Sequence, residues 1–163
     1  VYKRQAFSTF IAQNFGARKG DRIRRGVRSA FLITIVFSLI ISLLVFFFAK
    51  PLMLIFVRPD EAEILRIGTE YLRIEGAFYL GIGILFLLYG YYRAIRMPGM
   101  SVVLTVVSLG TRVALSYWLA GIPAIGVIGI WWSIPIGWFI ADVIGIIYYK
   151  QLKKETAKEV PAP

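Results

Sequence analysis

The sequence contains no cysteine and no histidine. Disulfides are therefore excluded, and so are zinc, haem and iron–sulfur sites built on those ligands. A Ser–His–Asp triad or a Cys–His pair is excluded as well. Charge is also scarce, at 17% of residues against about 25% in an ordinary soluble domain. Acids are scarcer than bases, 9 Asp and Glu against 19 Lys and Arg, which leaves a net charge of +10. A basic stripe on a soluble fold would point to nucleic acid. Here the cations gather just outside four long apolar blocks, where a lipid bilayer is the expected partner and nucleic acid is not.

The chain is 163 residues long and 58% hydrophobic. The first apolar block, Ser29 to Ala49, carries no charge, and at about 1.5 Å per residue it matches the roughly 30 Å of bilayer hydrocarbon. Lys50-Pro51 is expected to end it, because proline cannot continue the hydrogen-bond ladder. A second span is expected over about 71–92, with tyrosines at both ends suited to the interfacial aromatic belt. A third runs over about 101–119 and a fourth over about 127–149, joined by the turn AGIPAIG. Residues 51–57, PLMLIFV, are too short to span. They extend the first span or lie at the interface.

Gln5 to Ala12 read as the tail of a preceding helix, so residues 1–28 combine a helix end with a basic loop. Residues 29–149 form the membrane domain and 150–163 a tail. The first apolar block is too long for a signal-peptide core, and the opening Val1-Tyr2-Lys3-Arg4 lacks a Met. The chain is expected to be the downstream part of something longer. Lys and Arg concentrate before Ser29, at Arg93 and Arg96, and in the tail from Lys150. Lys50, Arg58, Arg66 and Arg73 fall on the other side, balanced by Asp60, Glu61, Glu63, Glu70 and Glu75. That bias places both ends in the cytoplasm, on a plasma membrane.

Gln13-Asn14-Phe15-Gly16-Ala17 follows the helix tail. Asn14 and Gly16 can each take the left-handed conformation that caps a helix C-terminus. This QNxGA stretch, the basic amphipathic linker Arg18 to Arg28 and the long apolar span after it resemble a MATE (multidrug and toxic compound extrusion) efflux transporter. The run YRAIRMPG from Tyr92 resembles the loop after that family's tenth helix. Ser108-Leu109-Gly110-Thr111-Arg112-Val113 resembles its eleventh helix, and GVIGIWWSIPIGW from Gly126 the entry to its twelfth. The resemblance implies an all-α integral membrane fold: four transmembrane helices plus the tail of a preceding one, the last part of a 12-helix transporter built from two six-helix lobes. It further implies a missing N-terminal lobe, small-molecule drugs or toxins as substrates, no cofactor, and Na+ or H+ as coupling ion.

Charges inside the spans are the candidate functional groups. Arg112 lies mid-span, with Glu75 and Asp142 on flanking spans at about 8 Å in depth, counting 1.5 Å per residue. An Arg112–Asp142 pair is slightly preferred, either as a structural ion pair or as a lining charge of the cavity. Glu75 lies near the outer end of its span, where it meets headgroups and water or serves as a cation-coupling carboxylate. The stretch LGIGILFLLYG carries no acid, although some members of the family have one there. Tyr79, Phe86, Tyr89 and Trp138 are candidate aromatic linings for flat lipophilic cations, with lipid-facing or packing roles as the alternative. Gly137, Ala141 and Gly145 repeat at four-residue spacing, which suits close helix packing, and Pro135 is expected to kink the fourth span.

The resulting expectation is part of a multidrug antiporter working by alternating access and inactive alone. The alternatives are a lipid-linked oligosaccharide flippase of the same superfamily and a small membrane scaffold subunit. An enzyme is not expected, because the spans hold neither clustered acids nor a nucleophile–base pair.

Overall fold

A computed structural model of the chain describes residues 2–159, with side chains described from residue 5 to residue 153. The end of the tail, 160–163, lies outside the described residues. Six helices follow one another: α1 (Tyr2–Gly16), α2 (Gly20–Met53), α3 (Ala62–Ala77), α4 (Tyr79–Ala94), α5 (Pro98–Ala120) and α6 (Val127–Glu159). There is no strand among the described residues. α2, α5 and α6 are each long and apolar enough to cross a membrane, and the bent pair α3–α4 makes a fourth span if taken as one.

α2 begins in the basic segment and runs past Lys50-Pro51 to Met53. The proline does not end the helix as expected. Pro51 lacks the N–H that would bond the Phe47 carbonyl, and its ring crowds that carbonyl. The helix answers with a kink at Phe48 (φ −99°, ψ 15°) and then resumes. One long face of α2 is left uncovered. Leu32, Ile33, Val36, Phe37, Leu43 and Phe47 all stand exposed, Phe47 at 70%. An apolar surface of that length would drive aggregation in water, whereas lipid accepts it with every backbone group bonded inside the helix.

The second expected span starts earlier than residue 71 and is not straight. α3 and α4 meet at Phe78 (φ −109°, ψ 16°) with a bend of 49°. The Phe78 N–H falls back to the Glu75 carbonyl at 3.2 Å, and the Gly81 N–H to the Phe78 carbonyl at 2.9 Å. α5 starts with Pro98 in its first turn, where the missing N–H has no intrahelical partner to lose. α6 carries Pro135 as one helix.

Both turns at the basic end close in the same way. The Lys19 N–H bonds the Asn14 carbonyl at 2.9 Å and the Arg18 N–H bonds Phe15 at 3.1 Å. The Met97 N–H bonds Tyr92 at 2.8 Å and the Arg96 N–H bonds Arg93 at 3.3 Å. These are the paired 6→1 and 5→2 bonds of a Schellman cap. The left-handed residues are Arg18 (φ 54°) and Arg96 (φ 62°). Asn14 and Gly16 therefore do not supply the left-handed cap the sequence pointed to. Asn14 is instead buried, its side-chain amide donating to the Phe10 carbonyl at 2.8 Å.

α5 and α6 form an antiparallel hairpin with the most extensive contact in the fold. α6 also packs on α4 and α3, while α2 packs on α3, α4 and α1. The core joins Ile11, Leu85, Leu88, Tyr92, Leu104, Trp138 and Ala141, toward the basic end. Tyr92 was read as an interfacial belt residue. It is fully buried, and its hydroxyl donates to the Gly145 carbonyl at 2.6 Å.

The close approach of α5 and α6 rests on glycine. A Cβ at Gly137 would lie 2.7 Å from the Ser108 carbonyl oxygen and 2.6 Å from Arg112 Cγ. One at Gly145 would lie 2.6 Å from Leu88 Cδ1. With Ala141 fully buried between them, the small-residue row is the seam on which α6 meets α4 and α5.

Candidate functional site

Two features stand out: an apolar cavity beside α2 and a polar seam along α6. The cavity measures about 920 Å³ and is walled by α1, α2 and α4. Phe7 and Phe10 come from α1, Ile33, Phe37 and Ile41 from α2, and Tyr79 and Phe86 from α4. Ser29, Thr34 and Ser38 add hydroxyls, and Arg25 is the one charged residue on its wall. Gly83 lets α2 approach α4 here, since a Cβ would lie 2.8 Å from Ser38 Oγ.

Of the four aromatics singled out from the sequence, the fold brings Tyr79 and Phe86 together on this wall. Tyr89 points elsewhere, its hydroxyl accepting from Thr105 at 3.2 Å. Trp138 is only 6% exposed and lies against Gly81, inside the helix packing. The α1 and α2 walls carried no sequence signal. The α2 residues from Ala30 on fall within an apolar run that is hydrophobic on every face, so periodicity does not distinguish cavity from lipid, and Phe7 and Phe10 lie on a short helix of mixed composition.

On the seam, Tyr71 and Phe78 of α3 and its bend meet Trp131 and Trp132 of α6, ring centroids 5.8 and 5.4 Å apart. Glu75 lies between them along α3. It is 6% exposed, buried among helices rather than set among headgroups, and its Oε1 has no hydrogen-bond partner. Asp142 sits further down α6, also 6% exposed, with Oδ1 unpartnered.

Arg112 lays its stem across Gly137. It makes no ion pair within 4 Å with any described residue. The preferred Arg112–Asp142 pair is thus not formed. Sequence depth placed both acids within reach of Arg112, but depth ignores which face of α6 points toward α5. Among the described residues no group of three His, Cys, Asp or Glu could hold a metal ion.

Gln13, Asn14, Gly16 and Ala17 lie at the basic end, and of these only Asn14 is buried. Their sequence, with all that follows as far as α5, matches the family model MatE over residues 4–118. The chain belongs to the MatE family. Its fold is similar to a solved structure described as the inward-facing conformation of a multidrug resistance MATE family transporter of the MOP superfamily. The TM-score is 0.86 at 19% identity, over 98% of this chain and 36% of that one. The MatE chain thus spans little more than a third of the structure it matches. No curated protein sequence matches it.

Proposed function

We propose that the chain forms one wall of a multidrug efflux antiporter, working with an N-terminal lobe by alternating access. The observation that carries this reading is the MatE match over residues 4–118, which runs through every wall of the 920 Å³ cavity. A lobe rocking against a partner lobe exposes such a cavity to each side of the membrane in turn. The ring faces of Phe7, Phe10, Tyr79 and Phe86 suit flat lipophilic compounds, including cations held by ring quadrupoles. Arg25 stands alone as a charge on the wall. A flippase gripping a lipid diphosphate would want several such cations, which favours drugs over lipid-linked sugars. Na+ or H+ supplies the driving gradient. By the positive-inside rule the basic end faces the cytoplasm of a plasma membrane, and the role is transport rather than catalysis.

The test is dye export in cells that lack their own efflux pumps. The chain expressed alone should leave ethidium accumulation unchanged, and the chain fused behind a six-helix MATE N-terminal lobe together with that transporter's seventh helix and the start of its eighth should lower it. Export by the chain alone would reject the two-lobe partnership. No export from the well-folded fusion would reject drug efflux.

A further inference from the structure

The acid on α6 sits where no described residue offers it a cation. Asp142 is 94% buried by its 6% exposure, and Oδ1 has no hydrogen-bond partner. α6 packs against α3, α4 and α5, and against no other described helix. From α5 the one charged side chain is Arg112, whose stem lies on Gly137, more than a turn away along α6. From α3, Glu75 lies beyond the bend and Tyr71 is engaged with Trp131. From α4, Tyr79 lines the cavity, Tyr89 accepts from Thr105, Tyr92 donates to Gly145, and Arg93 is exposed at the basic end. None of these bonds the carboxyl.

On the side facing α4 the carboxyl lies close to the backbone of Gly81. A Cβ on Gly81 would lie 3.8 Å from Asp142 Oδ2 and 3.4 Å from Trp138 Cβ. Gly81 is three residues past the bend at Phe78, and Glu75 three residues before it. The two buried acids therefore bracket the bend, and Asp142 abuts its inner limb.

We propose that Asp142 is a proton-binding site: protonated, it lets α6 lie flush on α4 below the bend, and ionised, it forces that seam apart. This rests on the transport reading only for what the proton drives. While the seam is open to water the carboxylate takes a proton from hydronium, forming an O–H bond and leaving water, and the neutral acid then lets the seam close. Charge is lost where no described residue supplies a counter-charge, so α6 and Gly81 meet without a trapped ion. Opening reverses the step, and water re-enters with the released proton. Na+ fits poorly, because no second carboxylate faces Asp142 to complete a shell of oxygen ligands. Coupling follows because the bend cannot change without changing the contact that decides whether the proton is held.

Infrared spectroscopy of the full chain in lipid vesicles reads the protonated carboxyl through its C=O stretch. Carboxylates in water, with ordinary pKa values of about 4, do not contribute to it at neutral pH. At neutral pH the band should be present and should persist in Glu75→Gln. It should be lost in Asp142→Asn, which mimics the neutral acid in size and should fold as well as the parent. It should fade reversibly as the pH is raised and be indifferent to exchange of K+ for Na+. A Glu75→Gln protein without the band overturns the proposal even where Asp142→Asn fails to fold. A band unchanged in Asp142→Asn overturns it too, and loss of the band on adding Na+ at constant pH makes the site a sodium ligand instead. With the band behaving as stated, absence of dye export from the fusion counts against the transport reading alone and leaves the proton site standing.

Discussion

Arg18 and Arg96 hold the backbone in the left-handed region at the ends of α1 and α4. That region is sterically costly for any residue with a Cβ, by roughly 1–2 kcal/mol, and glycine escapes the cost. Arginine gains part of it back by setting a cation near a helix C-terminus. Removing the charge isolates the backbone effect. Arg96→Gly should be more stable than Arg96→Ala by about 1 kcal/mol, and the pair at residue 18 should behave the same way. Thermal unfolding in detergent reads the order directly. Inside a helix alanine beats glycine, so an alanine advantage here would contradict the cap.

Little of this was legible residue by residue. QNxGA marked the end of α1, but the capping rule favours Gly or Asn in the left-handed position, and the chain uses neither. Tyr92 had the position of a belt tyrosine, and only the fold turns its hydroxyl to the Gly145 carbonyl. Glu75, Asp142 and Arg112 were visible as charges in apolar runs, a signal that needs no fold. Which of them meet was not, because partner choice depends on helix rotation, which an all-round apolar helix does not encode.

At the scale of the helices, small residues decide the α5–α6 seam. Gly137→Ala would push a methyl into the Ser108 carbonyl, a backbone atom with nowhere to move. It should cost about 1–3 kcal/mol, in the range of overpacking. Gly110→Ala, in the interior of α5 with nothing within 4 Å of the added carbon, should gain roughly 0.5–1 kcal/mol from helix propensity. Opposite shifts in melting temperature for the two substitutions are expected, and equal shifts would remove the seam. The four-residue spacing of Gly137, Ala141 and Gly145 announced this contact in the sequence, since spacing carries a face. The 49° bend at Phe78 falls between Gly76 and Gly81, two of the glycines in this span that suit either close packing or bending, but their spacing does not say which. Pro51 did mark a disturbance, but α2 resolves it by kinking at Phe48 and continuing.

For the whole molecule the account makes one central claim. Four spans thread the membrane so that the α1–α2 turn, the α4–α5 turn and the tail share the basic side. That claim comes from composition and charge bias, because burial in lipid and the placement of cations are set by long averages rather than by single contacts. The absence of cysteine makes the test direct. Single cysteines at Lys19, Arg96 and Lys158 should react with a membrane-impermeant maleimide only after the cells are permeabilised, while cysteines at Asp60 and Gly121 should react in intact cells. Labelling of Lys19→Cys and Lys158→Cys from opposite faces of the membrane would contradict the fold's placement in the bilayer and the transport reading built on it.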